Sequence, residues 1–298
     1  MRGGAPARIA RGVRRAIGAL RAVAANGETR AGAALLFPFV LAALFAGTLA
    51  PHDPLALHMA DAFQAPSWSH PFGTDNFGRD IFSRVVWGAR YSLLTGCAAV
   101  LTALAAAIPL GLLAGYGGGW WDLLLMRGID VLLAFPTILL AIAIVAITGP
   151  SLGNAALAVG LASVPLFTRL IRGVVLAVKA EGYVEAARAL GGRGWRIALR
   201  HILPNCLAVV VAQSSLRMAT AILTAAGLSF LGLGAQPPLP EWGALVSQGK
   251  DFLHQSLSMS LFPGMAILLV VLGLNSLGDG LNRALRPQQR AAGRGGGT

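Results

Sequence analysis

The chain has 298 residues, of which 55% are hydrophobic and only 12% are charged, and its mean hydropathy is +0.67. In soluble domains about a quarter of the residues are charged. This composition therefore excludes a soluble domain and is typical of a polytopic membrane protein. The net charge of +12 does not indicate nucleic-acid binding. Its basic residues lie in tails and a loop between long apolar runs, and not on one exposed face.

Six apolar stretches come close to the length of about 20 residues that a helix needs to cross a bilayer. The first follows an Arg-rich start, but its apolar run begins too late and is too long for a signal peptide, so we expect it to remain as a span. The sequence therefore predicts an all-α membrane protein with six transmembrane helices. The predicted spans are residues 31–50, 90–115, 124–148, 153–170, 204–233 and 257–278.

Charged residues predict which side of the membrane each loop faces. Arginine is concentrated at both ends of the chain and in one central loop, and the positive-inside rule places such segments in the cytoplasm. The two loops assigned to the outside carry more acidic than basic residues, which agrees with this orientation. The predicted organisation is a cytoplasmic tail (1–30), a transmembrane domain (31–285) with external loops (51–89 and 234–256) and a cytoplasmic loop (171–203), and a second cytoplasmic tail (286–298).

A polar segment interrupts the apolar runs at residues 181–205 and reads EGYVEAARALGGRGWRIALRHILPN. The residues after Gly182 are good helix formers, and Gly191 is placed to take the left-handed conformation that ends a helix. Three alanines leave one surface almost without side-chain bulk, which lets the backbone of another protein approach closely. The segment is then either an ordinary positive-inside loop or a docking helix, and its charge is compatible with both.

The spacing of this segment resembles the EAA loop of the membrane subunits of bacterial ABC importers, in which Glu-Ala-Ala is followed after three residues by Gly and later by Leu-Pro. In that family the loop forms a coupling helix that sits in a groove of the cytoplasmic ATPase. Its RHILPN ending is similar to the peptide and nickel branch. The resemblance implies an ATPase-coupling role for Glu185, Ala186, Ala187, Arg188, Gly191, Leu203 and Pro204.

Other stretches are similar to the same branch, namely residues 70–93, 115–141, 228–253 and 261–285. Together they resemble the C-type permease subunit of dipeptide, oligopeptide and nickel importers. The resemblance implies the type I importer permease fold in the bacterial inner membrane, surrounded by lipid. It also implies a second, B-type permease subunit as heterodimer partner, two cytoplasmic ATPase subunits that use ATP and magnesium, and an external solute-binding protein. This chain is then expected to bind no cofactor, and the cargo stays open.

Two charged residues within the predicted spans are candidates for the translocation path. Arg217 lies 13 residues beyond Pro204, which is about 20 Å along a helix. A charge at that depth either lines the path or forms a structural pair with a partner subunit. Asp130 follows Arg127 by three positions, so we expect a local ion pair on one helix face, with a place in the path as the alternative.

The remaining motifs predict no catalytic residue and no metal site. The stretch GTDNFGRD (73–80) lacks the phosphate-loop pattern and is expected to form a structural elbow outside the membrane. The external histidines at 52, 58 and 70 lack metal-ligand spacing and are expected to be ordinary loop residues. An intramembrane enzyme is disfavoured because the spans contain no histidine, and an exporter or channel because a docking helix implies a separate ATPase. Both Cys97 and Cys206 are expected to be buried.

Overall fold

The computed structural model describes residues 26–293, with side chains described up to residue 283 apart from residue 208. Most of the predicted tail at 1–30 and the last five residues of the predicted tail at 286–298 lie outside this range. Most of the described part is helical, the longest irregular segment covers residues 50–80, and an isolated β-bridge joins Thr74 to Asp80. The α-helices are α1 (Gly27–Leu44), α2 (Ala46–Leu49), α3 (Ile81–Leu112), α4 (Gly119–Leu133), α5 (Thr137–Thr148), α6 (Leu152–Lys179), α7 (Gly182–Ala189), α8 (Gly194–Ile197), α9 (Leu203–Phe230), α10 (Trp242–Gly249) and α11 (Ser258–Gly293).

Five of the described helices are long and apolar enough to cross a membrane, namely α1, α3, α6, α9 and α11, and the bent pair α4 and α5 makes a sixth crossing if the two helices together form one span. Five of the six predicted spans are thus found as single helices, and the bent pair occupies the place of the predicted third span. The third span, however, is not the single helix predicted at 124–148, because α4 and α5 meet at 89°. Pro136 explains the break, since it lacks a backbone N–H and disfavours helical backbone at the preceding Phe135.

Several helices continue beyond the apolar runs that predicted them. Helix α3 begins at Ile81 and not at residue 90, because the Asp80 carboxylate accepts a hydrogen bond from the Ser83 backbone N–H at 2.8 Å and caps the helix. Helix α6 continues to Lys179 and α11 to Gly293. Apolar length marks the part of a helix that lies in lipid, whereas caps and local propensity decide where it begins and ends.

The main core lies along α3, α6 and α9, where small side chains let the helices approach closely. At Gly160 a Cβ atom would lie 2.7 Å from the Ala99 carbonyl oxygen, so glycine is required for this packing distance between α6 and α3. A second core joins α1, α10 and α11 to the start of α3. Cys206 is buried as expected, but Cys97 is exposed, because residues 97 and 98 lie on the face of α3 that leaves the core.

The predicted external and cytoplasmic loops gather at opposite ends of the bundle. At one end, the indole N–H of Trp242 donates to the Val85 carbonyl at 2.9 Å, which joins α10 to α3. At the other end, Glu28 pairs with Arg283 at 2.7 Å, which joins α1 to α11. We call the first the external end and the second the cytoplasmic end, after the sides of the membrane that the charge distribution predicts for their loops.

Candidate coupling helix and membrane charges

Helix α7 occupies the place predicted for a short helix between Gly182 and Gly191. Its end is a Schellman motif, in which the Gly192 N–H donates to the Ala187 carbonyl at 3.1 Å and the Gly191 N–H donates to the Arg188 carbonyl at 3.0 Å. Gly191 has φ of +79°, the left-handed conformation that this motif needs. The glycine pair therefore stops α7 at a defined point and turns the chain into α8.

One side of α7 is anchored in the core and the other is exposed. Val184 is fully buried and packs in the main core, and Ala187 lies partly buried beside it. By contrast, Glu185, Ala186 and Arg188 are exposed. The helix is therefore fixed to the bundle by one face, while its small and charged residues remain accessible to a partner.

Three large apolar side chains in the same segment are also exposed, and none of them is among the residues that the resemblance assigned to coupling. Leu190 is 89% exposed, Trp195 is 65% exposed and Tyr183 is 45% exposed. Partial burial, followed by the nearby Glu181 carboxylate, raises the pKa of Tyr183, so its phenol stays neutral at ordinary pH. Apolar residues exposed on a cytoplasmic loop are typical of a protein contact. We name the surface formed by Tyr183, Glu185, Ala186, Arg188, Leu190 and Trp195 the docking surface.

The docking surface is joined to the fifth span by helical backbone. Helix α8 continues into a wide helical turn at Ala198–Ile202, and α9 then begins at Leu203 with Pro204 in its first turn, as predicted. Pro204 cannot donate a backbone hydrogen bond, but the Asn205 side chain donates to the His201 carbonyl at 2.7 Å. Apart from the turn at residues 190–193, the backbone from α7 to the end of α9 is helical.

Lys179 ties the cytoplasmic ends of two spans together. Its ammonium donates to the Tyr116 carbonyl at 2.9 Å, in the wide turn that ends α3, and lies 5.4 Å from the centre of the Tyr116 ring. The sequence signal for this contact was a single lysine at the end of an apolar helix, which is favourable beside the carbonyl groups at a helix C-terminus. Lys179 therefore links α6, which precedes α7, to α3.

The three-residue spacing predicted an ion pair between Asp130 and Arg127. This prediction is wrong, because Asp130 pairs with Arg169 of α6. A second pair joins the same two helices, since Arg172 donates to both carboxylate oxygens of Asp122, at 2.5 and 2.7 Å. These partners are 39 and 50 residues apart, so only the packing of α4 against α6 brings them together. Among the described residues Arg127 forms no ion pair.

Arg217 is half-buried on α9 and forms no ion pair within the described part of the chain. Its neighbours connect α9 to α11, since Gln213 donates to Asn282 at 3.3 Å and Ser215 donates to the Leu274 carbonyl at 2.9 Å. Both roles that the sequence suggested for Arg217, in the path or at a subunit contact, therefore remain compatible with its position.

The glycine-rich stretch at residues 73–80 forms a closed turn around Asp75. This buried carboxylate accepts from Arg79 Nε at 2.6 Å and from Arg84, and it also accepts the backbone N–H groups of Phe77 and Arg79. Arg84 in turn donates to Gln248 of α10 at 2.9 Å. Because the polar groups of the turn are directed at one another, the structural interpretation of this stretch is favoured over phosphate binding.

The family described as binding-protein-dependent transport system inner membrane component matches residues 107–291. The chain belongs to this family. It is a multi-pass component of the inner membrane, and the family implies ATPase, membrane and binding-protein partners. The matched range includes α7, the docking surface and the two ion pairs between α4 and α6, so these features lie within the part of the chain that the family description covers.

Named relatives cover almost the whole chain. The dipeptide transport system permease protein DppC of Alkalihalophilus pseudofirmus is 49% identical over 87% of this chain and 86% of its own length. The glutathione transport system permease protein GsiD of Pectobacterium atrosepticum is 46% identical over 87% of each chain. Since such relatives are permease components, this chain is a transport subunit and not an enzyme.

The structure also resembles solved structures of a more distant importer. A structure of the MetNI methionine ABC transporter in an inward-facing conformation matches 68% of this chain and 97% of that chain, with a TM-score of 0.58 and 16% sequence identity. At this identity the match establishes the fold, which is the ABC importer permease fold that the sequence predicted.

Proposed function

We propose that this chain is one of two membrane subunits of an ATP-driven importer for short peptides, and that α7 receives the motion of a cytoplasmic ATPase. Relatives named for dipeptide and glutathione transport support a peptide cargo, since glutathione is itself a tripeptide. Nickel and other small solutes were the alternative cargoes, whereas the two relatives described above are named for peptides.

The observation that carries the proposal is the division of α7 into a buried anchor and an exposed docking surface. Val184 is fully buried in the main core, whereas Glu185 is exposed. A groove on an ATPase accommodates the low profile of Ala186, and Leu190 offers an apolar side chain to fill it. Because Gly191 stops the helix and α8 leads directly into α9, a displacement of α7 reaches the fifth span.

For the assembly, we propose a heterodimer with a second, B-type permease subunit, two ATPase subunits and an external solute-binding protein. ATP and magnesium then bind to the ATPase subunits, since the sequence lacks the phosphate-loop pattern. ATP-driven closure of the ATPase pair pushes α7 and opens the bundle outward to receive cargo from the binding protein. Hydrolysis of ATP returns the bundle to the inward-open state.

Within the membrane we assign different roles to the two candidate path residues. Asp130 pairs with Arg169, and we infer that it holds α4 against α6. Arg217 has the charge to attract the C-terminal carboxylate of a peptide. If it lines the path, Arg217→Gln raises the KM for dipeptide uptake while the subunits still assemble. If it pairs with the partner subunit, the same change lowers the amount of assembled complex.

The direct test of the coupling role is Glu185→Ala in the complete transporter, reconstituted in lipid vesicles with its ATPase subunits and binding protein. We expect the ATPase subunits to co-purify poorly and ATP-driven dipeptide uptake to fall at least tenfold, because a charge on a docking surface orients the contact.

The matched control is Asp251→Ala, which removes an exposed carboxylate at the external end. It is expected to leave assembly and uptake unchanged. The coupling assignment is wrong if Glu185→Ala and Asp251→Ala assemble and transport equally well. The peptide assignment is tested separately. If the intact complex hydrolyses ATP in response to its binding protein but transports no di- or tripeptide, the coupling role stands and the peptide cargo is wrong.

A further inference from the structure

Two histidines and an aspartate from separate segments meet at the external end. His70 Nδ1 lies 3.0 Å from Asp80 Oδ1, His52 Nδ1 lies 3.8 Å from Asp80 Oδ2, and one ligand atom from each residue falls within 4.8 Å of the other two. Ligand atoms bound at about 2.1 Å to one tetrahedral ion are about 3.4 Å apart, so modest side-chain movements bring these three to one ion. We propose that His52, His70 and Asp80 form a binding site for a divalent transition metal ion, with zinc as its expected occupant.

The backbone around the three residues holds them in place. The Asp80 side chain is 1% exposed and its position is fixed by its cap on α3. The backbone N–H of His52 donates to Ser83 Oγ at 3.2 Å, in the first turn of the same helix. The backbone N–H of His70 donates to Ser67 Oγ at 3.1 Å. The cluster is therefore built from anchored segments, which is the arrangement that lets a metal site form without ordering a loop.

The ligand chemistry favours zinc and related ions over magnesium or calcium. Imidazole nitrogens suit zinc, nickel and copper, whereas magnesium and calcium prefer oxygen ligands. The single carboxylate supplies the negative charge for the site. Two nearby cations do not compete for it, because Arg79 and Arg84 are both directed at Asp75. Apart from its cap on α3, Asp80 is thus left to the histidines.

Both imidazole rings are positioned to serve as ligands. The side chain of His70 is 15% exposed and that of His52 is 41% exposed, so the pair lies at the edge of the external surface, where an ion can enter. Their ring centres are 4.7 Å apart, with 30° between the planes. Three protein ligands leave one position of a tetrahedral zinc ion for water or for a group from a partner.

A metal ion at this place would join three parts of the external end. It would connect the segment after α2, which carries His52, to the loop at residues 67–73 and to the first turn of α3. These segments already depend on the Thr74–Asp80 bridge and on the hydrogen bond from the Ile81 N–H to the Gly73 carbonyl. The bound ion is therefore expected to stabilise the external elbow against thermal unfolding.

The test is zinc binding by the full chain in its complex, purified without a histidine tag, stripped with EDTA and titrated with zinc chloride against a chromophoric chelator. We expect His52→Ala and His70→Ala each to weaken one zinc site at least tenfold and to abolish the thermal stabilisation by zinc. His58→Ala is the matched control, because His58 lies in the same loop, is exposed and is not part of the cluster. It is expected to bind zinc like the parent chain.

X-ray absorption spectroscopy at the zinc edge of the loaded complex gives an independent readout, because it counts the imidazole ligands. We expect two in the parent chain and one in His52→Ala. Because the His52 side chain is 41% exposed, we expect its variant to keep the fold even if His70→Ala does not, and size-exclusion chromatography tests this. Nickel or copper binding with the same dependence on His52 supports the site and changes only its occupant. The proposal is overturned if all three variants bind zinc equally, or if the parent binds none of these metals at micromolar concentration.

Discussion

The external and cytoplasmic ends differ in where their polar side chains find partners. At the external end, Asp75 and Glu241 are buried, and each accepts hydrogen bonds from groups of the same chain. At the cytoplasmic end, Glu185 and Arg188 are exposed, and neither forms an ion pair within the described residues. The contrast indicates that Asp75 and Glu241 maintain the fold of this chain, whereas Glu185 and Arg188 are available to another protein.

The largest effect on the external end is expected from Asp75→Ala. The change leaves Arg79 and Arg84 buried without their carboxylate, and breaking a buried ion pair by removing one partner costs about 3–5 kcal/mol. We expect little folded chain in the membrane, measured as the monodisperse fraction after detergent extraction.

The control for this change is Asp251→Ala, which removes an exposed carboxylate from the same end and is expected to change stability by no more than about 0.5 kcal/mol. Equal yields of folded chain from Asp75→Ala and Asp251→Ala would show that the buried network does not maintain the fold. The contrast between the two ends would then lose its external half.

The cytoplasmic end could be predicted from the sequence because its signals are local. Helix-forming residues between glycines placed α7, and the left-handed conformation of Gly191 followed from the need to end a helix. The same holds for Pro204 in the first turn of α9. The exposed Leu190 was missed, because exposure depends on how the chain packs and not on which residues are adjacent.

The external end and the membrane charges depend on contacts between distant residues, and there the sequence was a poorer guide. Spacing favoured a pair between Arg127 and Asp130, but Arg169 reaches Asp130 from another helix. Likewise, the spacing of the loop histidines gave no sign that His52 and His70 meet at Asp80. Loop geometry and helix packing decide such contacts, and the spacing of residues along the chain does not predict them.

A smaller effect, confined to the cytoplasmic end, is expected from Gly191→Ala. At φ of +79° an alanine costs about 1–2 kcal/mol in local strain, which the short turn between α7 and α8 relieves by changing its direction. We expect the subunit to fold and insert normally but to lose much of its binding-protein-stimulated ATPase activity, measured in the reconstituted complex.

Gly182→Ala is the matched control for the turn, since it lies at the other end of α7, has an ordinary helical φ and meets no atom within 4 Å of an added Cβ. It is expected to keep full coupling. If Gly191→Ala reduces the yield of folded subunit as strongly as it reduces coupling, the cytoplasmic end also maintains the fold, and the proposed division between the two ends fails.

The smallest effect on stability is expected from replacing either of two tryptophans, one at each end of the bundle. Trp242 is fully buried and donates its indole N–H to the Val85 carbonyl at 2.9 Å, whereas Trp195 is 65% exposed on the docking surface. Trp242→Phe keeps an aromatic ring but loses the donor, so we expect a loss of about 1 kcal/mol in stability. Trp195→Phe should leave thermal unfolding of the purified subunit unchanged and weaken only its association with the ATPase. Equal shifts in unfolding temperature for the two variants would mean that the docking surface is held by the chain's own packing, and a partner would no longer be needed to account for its exposed side chains.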